Sequence, residues 1–191
     1  MKFLATALIA ALALPNGSAL ADGVVQKLMT QADKVRLGKH DATRKSALEE
    51  ARAGDPAEFT ALDTLLAKPL LSTPDFDLGG EWRCRTIKMG GISPLVVYDW
   101  FKCRVSDDGA GWMLEKTSGS QRTSGRFYDD GQQRMIYLGS FFIAGDQPRP
   151  YSSGPDSDQV GYAFRTGEAE WRIEFPKPYY ESKFDILEFK R

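Results

Sequence analysis

Two cysteines, Cys84 and Cys103, carry the most definite chemistry in the chain. Each sits in a β-patterned run, residues 81–89 and 96–105, and the two runs read as the arms of one hairpin. A disulfide is the expected product, because thiol catalysis needs a basic partner and a reduced thiol. Antiparallel pairing with Cys84 opposite Cys103 sets Thr86 opposite Phe101 and Lys88 opposite Asp99. The same register sets Arg83 opposite Arg104 and Arg85 opposite Lys102, on the face away from the cysteines. Like charges directly opposite destabilise a ladder. Solvent, an internal network with Glu115, Glu174 or Glu188, or an acidic small molecule must offset the repulsion, unless the strands pair in a different register. Arg122, Arg126, Arg165 and Arg172 fall in or beside further strands. The candidate set is therefore Arg83, Arg85, Lys102, Arg104, Arg122, Glu174 and Glu188, in a structural network or a ligand site.

The other chemistry is sparse. The single histidine, His40, stands beside Asp41 in a polar helical stretch and reads as a solvated helix start. No zinc-protease, nucleophile-elbow, phosphate-loop or dinucleotide pattern occurs. No catalytic residue, cofactor or metal is expected. Residues 118–125 form a small polar connection that reads as a self-satisfied wide turn, with anion binding through Arg122 as the alternative. Trp82, Trp112 and Trp171 fall on period-two strands and read as core, while Trp100 shares the face of Ile87, Met89 and Tyr98. A formal net charge of -1 argues against a nucleic-acid partner.

The elements that position these residues follow from a shift in period. Residues 1–21 read as a secretory leader: Lys2, an apolar run from Phe3 to Leu14, then Ala19-Leu20-Ala21, with cleavage expected before Asp22. The destination is extracytoplasmic, most simply the periplasm, with no membrane span after leader removal. Residues 22–75 form a helical segment and linker. Asp55-Pro56-Ala57-Glu58 opens a helix with a cap, a first-turn proline and an acidic N3. Asp41 is a weaker cap for a helix through Glu50, and a short helix is expected over 30–37. Residues 76–191 form an antiparallel β domain, with the period switching to two from Gly80 onward. Strands are expected near 81–89, 96–105, 111–117, 125–129, 133–142, 159–165, 169–175 and 183–190, with a long loop at 144–157 that reads as solvated slack. The fold class is α+β, a helical segment followed by an antiparallel up-and-down β-barrel or strongly coiled sheet of about eight strands.

Several separated motifs carry a resemblance. Trp82-Arg83-Cys84-Arg85-Thr86-Ile87-Lys88, Gly119-Ser120-Gln121-Arg122, Val160-Gly161, Trp171-Arg172-Ile173 and the run from Tyr180 to Glu188 together resemble a secreted proteobacterial family of unknown function. That resemblance covers most of the chain after the leader and brings no activity with it. Gly80-Glu81-Trp82 is also similar to the Gly-x-Trp that opens the first strand of calycin barrels, the lipocalins and the small periplasmic inhibitors of metalloproteases.

The expected function is non-enzymatic binding of a small acidic or amphipathic ligand, or of an envelope protein. The alternatives are inhibition of a secreted protease and carboxylate-based hydrolysis. A roomy interior of mixed polarity favours the first, a filled barrel with a protruding segment the second, and two carboxylates facing across a cleft the third.

Overall fold

The computed structural model describes residues 19–191, with side chains from Gly23 onward; the leader run from Phe3 to Leu14 lies outside them. The period-two region forms nine strands: β1 Gly80–Met89, β2 Leu95–Val97, β3 Phe101–Asp107, β4 Trp112–Lys116, β5 Gln121–Asp129, β6 Met135–Ile143, β7 Asp158–Arg165, β8 Glu170–Pro176 and β9 Phe184–Lys190. All neighbouring pairs are antiparallel, and β9 returns to β1 from Arg83↔Lys190 to Met89↔Phe184. Eight strands thus close into a barrel, and β2 is the extra short one. Closure removes the exposed sheet edges that would otherwise invite pairing with other chains.

The predicted hairpin register is off by two residues. Trp82 opposes Cys103 and Cys84 opposes Phe101, so the disulfide joins a diagonal pair with Cα atoms 5.9 Å apart. A two-residue slip preserves which face each residue uses. It replaces the expected Arg83–Arg104 opposition with Glu81↔Arg104, an attractive pair, and sets Arg83 opposite Lys102. The predicted 96–105 strand is also broken. Beyond Cys84↔Phe101 the pairing resumes at Ile87↔Val97, so Arg85 and Thr86 face the three residues from Tyr98 to Trp100. That extra residue is a β-bulge, and it sets Lys88 opposite Val96 instead of Asp99. Strand β5 begins at Gln121, so the polar connection shrinks to Thr117–Ser120.

One end of the barrel is filled. Trp171 stacks on Phe189 with centroids 3.6 Å apart, and Trp82, Phe127, Leu114 and Ile173 complete the packing. The linker closes this end with Phe76 and Leu78: the Trp82 indole donates to the Leu78 carbonyl at 2.7 Å, and the Arg191 guanidinium lies 3.8 Å from the Trp82 ring centroid. Midway along, Gly125 and Gly139 oppose each other, and a Cβ on Gly139 would collide with the Tyr137 hydroxyl group. These glycines let the buried Tyr137 ring cross the interior as a floor.

Among the described residues four helices precede the barrel: α1 Ala19–Leu28, α2 Gln31–Leu37, α3 His40–Ala51 and α4 Pro56–Leu66. The Asp55 carboxylate caps α4 through the amides of Ala57 and Glu58, as its sequence predicts, and Thr30 caps α2 through Asp33. Asp41 does not cap α3; Lys39 holds that position without a side-chain bond. Ala47 and Ala51 of α3 and Leu62 and Leu65 of α4 cover the outer residues Ile87, Met89, Phe184 and Ile186. Val25, Met29 and Leu37 cover Ile136, Leu138 and Val160. The 144–157 loop is not slack: the Tyr151 hydroxyl donates to Asp33 and accepts from the Thr30 amide, docking the loop on α2. Among the described residues no helix is long and apolar enough to cross a membrane.

Candidate functional site

The inner face of β1 is set by the disulfide. Residues of the same parity as Cys84 point inward, which places Trp82 in the packed end and Thr86 and Lys88 toward the other end. On β4, Lys116 follows the buried Leu114 by the same alternation. Gln121 and Thr123 of β5, Phe141 of β6, Gln159 of β7, Phe175 of β8 and Asp185 and Leu187 of β9 complete a cup above the Tyr137 floor. Its cavity volume is about 70 Å³. That is room for several waters or for the head of a larger ligand. Strands β7 and β8 pair only as far as Tyr162↔Glu174, so the wall parts beyond that point and the cavity reaches Asp158 and Arg36.

Burial and charge set the electrostatics. Burial, with help from the charges of Lys88 and Arg122, lowers the Lys116 pKa to about 8. Its ammonium donates to the Gln121 carbonyl at 2.8 Å and lies 4.4 Å from the Phe101 ring centroid. Lys88 is buried, donates to Gln121 Oε1 at 3.0 Å and pairs with Glu181. Asp185, opposite Lys88 across β1 and β9, has its pKa raised to about 6 by burial, with Ser182 donating to it and Lys88 opposing the rise. The Glu181 carboxyl is held below its ordinary range by the hydrogen bond from Lys88. On the floor, Thr123 Oγ1 lies 2.6 Å from the Tyr137 hydroxyl and donates to Gln159 at 2.5 Å. Burial raises the Tyr137 pKa, so the phenol stays neutral. Among the described residues no three His, Cys, Asp or Glu side chains gather as a metal site.

The sequence-selected cations occupy the opposite surface. Arg83 and Lys102 are exposed, and Arg104 is 61% exposed with its Nε donating to Glu81 at 2.5 Å. Arg85 donates to Glu188 at 2.5 Å, and Arg83, Arg85 and Lys190 gather over the Trp100 ring. Glu115 lies outside opposite Arg104. Of the whole set only Arg122 lines the cup, with its Nε donating to the Gly119 carbonyl at 3.0 Å. Glu174 belongs to a different cluster, buried beneath α3. It accepts from Arg172 at 2.6 Å, meets His40 Nε2 at 3.0 Å and lies 3.4 Å from Arg44 Nε. His40 is therefore a buried bridge between α3 and β8, not a solvated helix start. Lys88, Lys116, Gln121, Glu181 and Asp185 escaped sequence reasoning. The parity of Cys84 and Leu114 was the available signal for the first two.

The assembled features define a class: a closed eight-stranded antiparallel barrel, clasped by helices, packed at one end and holding a polar, cation-lined cup at the other. The chain belongs to the family described as domain of unknown function DUF4893, whose model matches residues 25–189. The closed barrel agrees with what the calycin resemblance implies for the fold. Searches among curated proteins and among solved structures returned no match.

Proposed function

We propose that this protein binds a small anionic amphipathic molecule in the barrel cup without transforming it. The observation that carries this reading is the convergence of Lys88, Lys116 and Arg122 on one interior cavity, whose lining also includes the apolar Phe141, Phe175 and Leu187 and the carboxyl groups of Asp156, Asp158 and Asp185. Burying a lysine is costly, and the packed end of the same barrel carries no such cost. Perturbed ionisable groups gathered in a cavity are a mark of a working site. The mouth supports an amphipathic partner: Tyr179 and Tyr180 line it and are exposed, and Ile92, bonded to the Glu181 carbonyl, is 82% exposed. Inhibition of a protease and carboxylate hydrolysis rest on no comparable arrangement among the described residues.

Calorimetric titration with decanoate, against decyltrimethylammonium as the charge-reversed control, tests the reading. Saturable binding of decanoate alone is expected, and loss of that binding in Lys88→Gln that still folds by circular dichroism. Equal binding of both amphiphiles, or of neither, would refute it. The bridge between Cys84 and Cys103 further supports an oxidising, extracytoplasmic setting. On that reading the secreted protein begins at Asp22, which its intact mass checks.

A further inference from the structure

One carboxylate already sits at the mouth of the cup, and it belongs to the segment joining β8 to β9. In this strap, residues 177–183, Lys177 has φ 49° and Glu181 has φ 66°, a left-handed conformation unusual for residues with side chains. Its ends are tied down: Lys177 N donates to the Lys183 carbonyl at 2.9 Å, and Lys183 N donates to the Met89 carbonyl at 3.0 Å. The Glu181 carbonyl accepts from Ile92 N at 2.9 Å, so the backbone turn is fastened to the β1–β2 connection. The left-handed turn aims the Glu181 side chain back at the barrel. One of its oxygens accepts from the Lys88 ammonium, and the other lies 3.5 Å from Gln121 Nε2. Gln121 Oε1 meanwhile accepts from Lys88 at 3.0 Å, so the amide orients the cation and offers a donor beside it.

We propose that Lys88 and Gln121 form the head-group subsite for a carboxylate ligand, and that Glu181 holds it as an internal stand-in which the ligand displaces. This deepens the ligand-binding reading above and rests on it. Two donors on separate strands, Lys88 on β1 and Gln121 on β5, each matched to one oxygen, fit the planar two-oxygen head of a carboxylate. The exchange is also neutral in charge: one carboxylate leaves Lys88 as another arrives, so Asp185 and Lys116 keep their electrostatic surroundings. Glu181 loses little on release, because its side chain is 43% exposed while Lys88 is 10% exposed. The cation is the buried, fixed partner and the carboxylate the exchangeable one. The apolar portion of such a ligand would lie along Phe141 and Tyr180, whose rings are 5.5 Å apart beside the mouth.

An internal competitor lowers apparent affinity by the fraction of time it leaves the subsite free. Glu181→Gln removes its charge and keeps its shape. If the stand-in is in place about nine-tenths of the time, the variant binds decanoate about tenfold more tightly than wild type. Calorimetric titration of both proteins with decanoate and with decyl sulfate reads the effect. A gain confined to decanoate is the expected result. Decanoate binding that is unchanged or weaker in Glu181→Gln overturns the stand-in and leaves the cup reading intact. An equal gain for decyl sulfate overturns the carboxylate assignment. Absence of binding by both proteins overturns the cup reading and this proposal together.

Discussion

Replacing Asp185 by asparagine should stabilise the protein, although it removes a charge from beside Lys88. The carboxyl lies within the cup, and burial lifts its pKa from 3.8 to about 6. For an acid, a raised folded value means that ionisation costs folding energy. The penalty is present in full above about pH 6 and disappears as the pH falls toward 3.8. A displacement of about two pH units corresponds to about 3 kcal/mol. Water entering the open cup screens part of this, which leaves about 1–2 kcal/mol as the expected gain at pH 8. Asparagine retains an oxygen to accept from Ser182, and Lys88 keeps Gln121 and Glu181 as partners. Urea unfolding of wild type and variant at pH 8, 6 and 4 reads the difference directly. The gap should be constant above pH 7, narrow through pH 6 and nearly close at pH 4. A variant less stable than wild type at pH 8 would refute the reasoning and make Asp185 a required counterion of Lys88.

Glu174→Gln should cost about 3–5 kcal/mol, because Arg172 and His40 are then buried without their carboxylate. Burial raises the Glu174 pKa, but His40, Arg172 and Arg44 outweigh it and hold the group below 4.5. Its contribution is therefore present above that pH and fades in acid, where the two unfolding curves should converge. By contrast, Arg104→Gln should leave the melting temperature unchanged, since that side chain is solvated. Lys116 should titrate near pH 8 by side-chain NMR, well below the ordinary lysine value of 10.5. Its charged form is the penalised one, so stability should rise as pH is raised from 8 toward 10.5. Reducing the Cys84–Cys103 bond frees a 19-residue separation, and calorimetry should find a loss of about 3 kcal/mol.

Much of the fold was legible where local chemistry is unambiguous. The Asp55-Pro56-Ala57-Glu58 helix start stands where its residue types demand. The disulfide and the strand count were equally plain. The bulge was not, because nothing in Tyr98-Asp99-Trp100 distinguishes a skipped ladder position from a continuous strand. The candidate site was the larger loss, and the reason lies in β1 itself. Its outward residues run Arg83, Arg85, Ile87, Met89, and its inward residues run Trp82, Cys84, Thr86, Lys88. Both faces change character halfway along, so neither reads as wholly core or wholly solvent. The clustered cations drew notice, yet the lone Lys88 at the far end of the other face was the one inside.

That change of character runs around the barrel and bears on function. At the packed end the usual order holds, with Trp82, Trp171 and Phe189 inside and Glu81, Arg83 and Arg104 in solvent. At the open end the order reverses. Lys88, Asp185, Gln121 and Gln159 face the interior, while Ile87, Met89, Phe184 and Ile186 face outward. An outward apolar belt would be a liability on a solvated barrel, and here α3 and α4 cover it. The helical segment is thus the counterpart of the cup: by taking over apolar burial on the outside, it lets the same strands present polar and charged groups within. Packing that would otherwise fill the interior has moved to the outer wall, and Lys88 is held by a strand that α3 braces from behind. A barrel built only for stability gains nothing from this exchange. One built to receive an anionic head gains a rigid, partly dehydrated set of cations, where their attraction for a ligand exceeds what the same charges offer in water.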